Sequence, residues 1–215
     1  MIQIVDDNPA TRTALERLLK AAGYKTQSFK SAGEFLSAGA DPSADCLVLD
    51  VQMPGMGGIE LQKAMARVGN SLPIVFLTCH GTIPVSVQAM KAGAVDFLTK
   101  PVEKADLLKA VRTAIEKRAN ERQTLAGFQL LKDRLARLTP REMEVFVLVV
   151  RGMMNKQIAA ELGTGEQNIK IHRSHVMTKM QADTLADLVK IGERLGISGE
   201  PSAPKSGAAQ SRAFA

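Results

Sequence analysis

The sequence predicts an α/β, doubly wound five-stranded parallel sheet followed by a small all-α helix-turn-helix unit. Three observations carry this. Over residues 1–118, short apolar runs alternate five times with amphipathic helical stretches, the pattern of a parallel sheet covered on both faces. Four of those runs stop at or shortly before polar residues, and the carboxyl edge of the strands is where open sheets keep their sites. From residue 139 onward the periodicity is helical, with glycines at the turns.

The elements follow in order. Ile2 to Val5 is an apolar run closed by Asp6-Asp7. Asn8-Pro9 reads as a helix N-cap with proline in the first turn, and Thr11, Leu15, Leu18, Leu19 and Ala22 form one face before Gly23 stops the helix. Thr26 to Phe29 is a short strand, and Ser31-Ala-Gly-Glu34 a capping box opening the next helix. Cys46 to Leu49 suits a strand buried on both faces, with Asp50 at its carboxyl end and a Pro/Gly loop after it. Ile59, Met65 and Val68 mark a helix, and Ile74 to Leu77 a strand closed by Thr78. Val85 to Ala92 is a helix ended by Gly93, Val95 to Leu98 a strand before Lys100-Pro101, and Leu107, Leu108, Val111 and Ile115 mark the last helix of this half. Residues 119–137, rich in charge with scattered leucines, read as a helical linker.

In residues 138–196, Thr139-Pro-Arg-Glu142 combines a capping box with an N1 proline and leads into Val145, Phe146 and Val149 before Gly152. Asn155 is expected to cap a second helix carrying Ile158, Ala159 and Leu162. A third starts near Gly165–Glu166, and a fourth near Thr184 with Leu185, Leu188 and Val189 inside. Residues 197–215, rich in Ser, Ala, Gly and Pro, are expected to be disordered.

Composition narrows the function classes. The net charge of +6, from 28 basic and 22 acidic residues, is spread thinly, so it permits a polyanionic partner without identifying one. No apolar run approaches the roughly 20 residues that span a bilayer, which leads to the expectation of a cytoplasmic protein with no membrane partner. Cys46 and Cys79 lack metal-ligand spacing and are expected as reduced, space-filling core residues.

Four strand ends thus bring three carboxylates, a hydroxyl and an ammonium towards one edge, a set that suits a divalent cation and a phosphoryl group. Asp6-Asp7, Leu49-Asp50 with Met53-Pro54-Gly55, Thr78 and Gly93-Ala-Val-Asp-Phe-Leu-Thr-Lys-Pro101 together resemble a response-regulator receiver domain, whose fold is flavodoxin-like. The resemblance implies that Asp50 is the phosphoacceptor, forming an acyl phosphate. It implies Mg²⁺ held directly by Asp7 and Asp50, by Asp6 through water, and by the backbone carbonyl of Gln52. Lys100 would neutralise phosphoryl oxygens, Thr78 would donate a hydrogen bond to one, and Phe97 would move inward as the switch. A strand-end aspartate nucleophile also serves haloacid-dehalogenase-type phosphohydrolases, but those want a second Asp where this chain has Gln52.

Leu138-Thr-Pro-Arg-Glu-Met-Glu144, Gly152, Asn155-Lys-Gln-Ile-Ala159, Leu162 and Ile169-Lys-Ile-His-Arg173 resemble the LuxR-type DNA-binding domain, which with the receiver points to the FixJ/NarL class of regulators. In the third helix Ile169, His172, Val176 and Met180 recur on a core face, and Gln167, Lys170, Ile171 and Ser174 make the opposite stripe. A major groove admits such a helix. Lys170, Ile171 and Ser174 are expected at base edges, with Arg173 and Lys179 at phosphates. Gly165 stands where the family caps this helix with Ser, and Asn168 where it has Thr. His172 and His175 have no partner spacing for a metal. The expected partners are a sensor histidine kinase, double-stranded promoter DNA and, on phosphorylation, a second copy of the chain, with residues 83–115 as the face that changes. A regulator whose receiver works without phosphate is the alternative.

Overall fold

The computed structural model describes residues 1–39, 41–79 and 81–197. The tail expected to be disordered therefore falls, apart from Ile197, outside the described residues. The chain divides into two compact units, Met1–Gln123 and Thr124–Ala215.

The first unit alternates strand and helix as the hydropathy pattern requires. Its elements are β1 (Ile2–Val5), α1 (Pro9–Ala21), β2 (Thr26–Phe29), α2 (Ala32–Ala38), β3 (Cys46–Asp50), α3 (Gly58–Arg67), β4 (Ile74–Thr78), α4 (Ile83–Lys91), β5 (Asp96–Thr99) and the first part of α5 (Lys104–Leu135), whose remainder belongs to the second unit. The strands pair in parallel in the order β2-β1-β3-β4-β5. Successive side chains point to opposite faces. Val5, Leu47, Leu49 and Phe76 therefore join Phe35 and Leu61 on one side, while Ile4, Val48, Val75 and Leu77 join Leu19, Leu107 and Val111 on the other. The register sets Val5 beside Leu49, Asp50 beside Leu77, and Thr78 beside Thr99, so the carboxyl ends of four strands finish at one edge.

Several expectations shift. β5 runs Asp96–Thr99, one residue later than expected, although the Val95 N–H already donates to the Ile74 carbonyl at 2.8 Å. Val68 is 77% exposed: it is the C-cap of α3, and Gly69, at φ +71°, turns the chain away from the core there. Cys46 is buried as expected, whereas Cys79 is exposed, one residue past the end of β4 and no longer filling core space.

Residues 119–135 continue α5 without a break. Near the end of the first unit Arg122 fixes this helix to the segment feeding β3. Its guanidinium donates to Asp45 Oδ1 at 2.7 Å and to the carbonyls of Pro42 and Ala44 at 2.6 and 2.8 Å. Of the linker leucines, Leu125 and Leu130 are exposed, Leu131 is buried, and Leu135 packs on the helical core.

The second unit adds α6 (Pro140–Val150), α7 (Asn155–Glu161), α8 (Glu166–Met180) and α9 (Leu185–Arg194). Val145, Phe146, Val149, Ile158, Ile169, Val176, Met180 and Leu188 close a small core. The capping box at Thr139 and Glu142 forms as read: Thr139 N–H donates to Glu142 at 2.8 Å, and Glu142 N–H to Thr139 Oγ1 at 3.3 Å. Asn155 is not the cap of α7 but its first residue. Met154 caps it, its N–H held by Gln157 Oε1 at 2.8 Å, because the Asn155 amide is engaged elsewhere. Leu185, expected inside, is 46% exposed in the first turn of α9.

Candidate functional site

Asp6 and Asp50 lie where β1 and β3 end, and both are buried. Burial makes a carboxylate costly unless it is paired and hydrogen-bonded. Lys100 supplies the pairing: its Nζ donates to Asp6 Oδ2 at 2.7 Å and to Asp50 Oδ2 at 2.9 Å. The remaining oxygens accept backbone N–H groups, Asp6 Oδ1 from Asn8 at 2.9 Å and Asp50 Oδ1 from Gln52 at 3.3 Å. Lys100 reaches this position because its own N–H donates to the Thr78 carbonyl at 2.7 Å, which lays it beside the end of β4, ahead of the cis Lys100–Pro101 peptide. Burial alone pulls the ammonium down, but hydrogen bonds and charge from Asp50 and Asp6 outweigh it and hold Lys100 above its ordinary value.

Asp7 is exposed and next to the pair. One oxygen each of Asp6, Asp7 and Asp50 lie within 4.8 Å of one another, the one such acid group among the described residues. All three donors are hard oxygens at a rim open on the Asp7 side, which fits a divalent cation that keeps part of its water shell. Thr78 is fully buried at the end of β4. Phe97 is half-buried, its ring 6.0 Å from that of Phe76 and close over Gly81, where a Cβ would meet it at 2.9 Å. Gln52 stands two residues past Asp50 and contributes its N–H. The structure thus gathers Asp6, Asp7, Asp50, Gln52, Thr78 and Lys100 at one edge, with Phe97 on the adjoining strand. Grooves of about 290 and 480 Å³ flank Gly69–Ser71 instead, before β4 begins, and hold none of these residues.

A neighbour that the sequence reading missed is Arg12, whose Nη1 donates to the carbonyls of Asp6 and Asp7 at 2.7 and 3.0 Å. An arginine on an amphipathic helix offers no pattern that distinguishes it from a solvated one.

On α8, Gln167, Lys170, Ile171 and Ser174 are exposed, and Ile169, Val176 and Met180 buried, the two faces expected. Ile171 is 47% exposed, an apolar side chain left in water amid polar neighbours. Gly165 caps α8 without a side-chain bond, and Asn168 donates to Thr164 Oγ1 at 3.1 Å. Arg173 is partly buried and donates to Asn155 Oδ1 at 2.9 Å. Lys179, expected at a phosphate, has its ammonium turned to the buried Glu142 at 2.6 Å. This tie between α8 and α6 was not foreseen, since the partners are far apart in sequence. The Lys179 bond and the Thr139 N–H push the Glu142 carboxyl down to about 2. His175 Nδ1 stands 3.5 Å from the same carboxylate. No helix among the described residues is long and apolar enough to cross a membrane.

With this geometry in hand, comparison with known proteins is specific. Residues 2–112 match the model of the response regulator receiver domain, and residues 136–192 that of the bacterial regulatory proteins of the luxR family. Nodulation protein W of Bradyrhizobium diazoefficiens is 44% identical over 198 residues, covering 92% of this chain and 87% of that protein. Transcriptional regulatory protein FixJ of the same organism is 41% identical over 196 residues, covering 91% and 96%. Among solved structures, response regulator StyR has a TM-score of 0.80 at 43% identity, covering 90% of this chain and 98% of that one. Full-length FixJ from B. japonicum has a TM-score of 0.55 at 40% identity, covering 91% and 97%.

Proposed function

This chain belongs to the two-component response regulators of the FixJ/NarL class, a receiver domain joined to a LuxR-type DNA-binding domain, and on that footing we propose that Asp50 is its phosphoacceptor. Family membership makes it a transcriptional regulator rather than an enzyme, which sets aside the phosphohydrolase alternative. The working division is a receiver over 1–118, a helical linker over 119–137 and a DNA-binding domain over 138–196.

The observation that carries the reading is the single ammonium of Lys100 bridging Asp6 and Asp50 at 2.7 and 2.9 Å. It pairs with the Asp50 carboxylate at the end of β3 and leaves that group placed to act as the nucleophile. An Asp50 oxygen attacks the phosphorus of a phosphohistidine on a sensor kinase, the P–N bond breaks with its electrons going to the imidazole, and an acyl phosphate forms. Lys100, already within hydrogen-bond distance, follows the transferred oxygens and offsets their charge. The residues present fit Mg²⁺: Asp7 and Asp50 would hold it directly, Asp6 through water and Gln52 by its carbonyl, and when bound it supplies further charge neutralisation for the transfer. The Thr78 hydroxyl turns to a phosphoryl oxygen, and Phe97 moves into the space vacated. The face over residues 83–115 then supports dimerisation, and α8 enters the major groove of promoter DNA with Lys170, Ile171 and Ser174 at base edges, Gln167 alongside, and Arg173 at a phosphate. Lys179 stays with Glu142 or exchanges it for a phosphate. The site of action is the cytoplasm, where kinase and chromosome meet.

The test is to incubate the full chain with Mg²⁺ and a small phosphodonor, then measure sedimentation and binding to a promoter duplex. Labelled protein is expected to dimerise and bind more tightly. Labelled protein that sediments and binds DNA as the unlabelled form does would refute the proposal.

A further inference from the structure

The three acids of the site are not fixed in the same way. Asp6 is held by the Asn8 N–H and by Lys100, and Asp50 by the Gln52 N–H and by Lys100. Asp7 is exposed, and among the described residues no donor holds its carboxylate. The position of that carboxylate therefore depends on its backbone. Two groups fix this backbone. Asn8 caps α1, its Oδ1 accepting from the N–H groups of Ala10 and Thr11 at 2.9 and 3.3 Å. Arg12, one turn into α1, reaches back so that a single Nη1 donates to both the Asp6 and the Asp7 carbonyl at 2.7 and 3.0 Å.

We propose that Arg12 is a positioning residue for the metal-binding loop: by tying two consecutive carbonyls to α1 it aims the Asp7 carboxylate at Asp50. The proposal rests on the reading of the acid cluster as a Mg²⁺ site. Outer-shell groups that orient a ligand often matter to metal affinity nearly as much as the ligand itself. A guanidinium suits the task because its donors are rigid and its charge is permanent, so the loop is held at every pH the protein meets.

A competing effect has the opposite sign. Arg12 also places a positive charge at the Asp6 and Asp7 carbonyls, in the loop that carries two of the acids, and charge alone would weaken cation binding. Removing it would then tighten Mg²⁺ binding, whereas loss of positioning loosens it. A purely structural role in α1 would lower thermal stability and leave Mg²⁺ affinity unchanged.

The experiment is a MgCl₂ titration of the full chain, followed by backbone amide shifts at Asp7, Asn8 and Gln52, for the parent, Arg12→Ala and Arg12→Lys. Arg12→Ala is expected to bind Mg²⁺ about tenfold more weakly. Arg12→Lys, which keeps a cation with several donors, is expected to fall between that variant and the parent. Phosphorylation of Arg12→Ala is expected to need more Mg²⁺ for its half-maximal rate and to regain most of the parent rate at saturation. Arg12→Gln, which removes the charge but retains an amide donor, takes the place of Arg12→Ala should the latter unfold, with the same expected weakening. Arg12→Ala or Arg12→Gln binding Mg²⁺ as tightly as the parent, or more tightly, overturns the proposal. A parent with no saturable Mg²⁺ shifts overturns the metal reading itself and the proposal with it.

Discussion

Replacing Glu142 by Gln isolates a charge that ties α8 to α6. Glu142 is 3% exposed, accepts the Thr139 N–H at 2.8 Å, and receives the Lys179 ammonium at 2.6 Å. Its carboxyl is lowered from 4.5 to about 2, chiefly by Lys179. Because the folded value lies below the unfolded one, the stabilisation is fully present above pH 4.5 and is lost as pH falls towards about 2. That gap corresponds to roughly 3 kcal/mol at neutral pH. Lys179 is 34% exposed, so solvent screening reduces the expected cost of Glu142→Gln to roughly 1–2 kcal/mol. Urea titrations of the full chain, read from the methyl signals of Val145, Val149 and Val176, report on the helical unit alone. At pH 7 the variant should unfold at lower urea, and by pH 3 the difference should shrink to less than half, because the unfolded parent is then protonated. A penalty that is absent at pH 7, or that stays constant down to pH 3, would refute the reasoning.

Three further outcomes are expected. Thr78→Ala and Lys100→Ala should uncouple phosphorylation from dimerisation more than they impair folding, with Lys100→Ala the less stable of the two because it leaves Asp6 and Asp50 unpaired. Sedimentation of the labelled variants checks this, and parent-like dimerisation of both would show that the relay is wrong. Lys170→Ala should cost roughly 1–3 kcal/mol of affinity for the preferred site if the side chain makes a bidentate base contact. If it meets a phosphate, binding should weaken evenly across sequences and the salt slope should fall by about one ion, as expected for Arg173→Ala. Titrating specific and scrambled duplexes at several salt concentrations separates these cases. Gly192→Ala would set a Cβ at 2.7 and 2.8 Å from the two Val150 methyls, so it should destabilise the helical unit by about 1–3 kcal/mol. The penalty should be smaller in a Val150→Ala background, and urea denaturation of the four-protein cycle measures the coupling.

The sheet and its site edge were legible because parallel strands end level, so polar residues closing separate apolar runs in sequence become neighbours in space. Asp6-Asp7, Asp50, Thr78 and Lys100 are read this way, although β5 begins one residue later than its hydropathy suggests. Period also separated the two faces of α8, including exposed Ile171. What period cannot show is pairing between distant side chains. Arg12 looks like any cation on a wet helix, and the Glu142–Lys179 tie joins residues on different helices. Asn155 illustrates the limit of local rules: it is a good cap by type, yet Gln157 satisfies the Met154 N–H, leaving the Asn155 amide for Arg173. Cys79 and Val68 were misplaced for another reason. Each lies one residue past the end of its element, where the burial pattern of that element no longer applies.

The account turns on Asp50, so intact-mass spectrometry of parent and Asp50→Asn protein, after incubation with Mg²⁺ and a small phosphodonor, tests it most directly. The parent should gain a single phosphoryl group that mild base removes, as an acyl phosphate requires, and the variant, folded to the same extent, should gain none. Full labelling of Asp50→Asn would contradict the assignment.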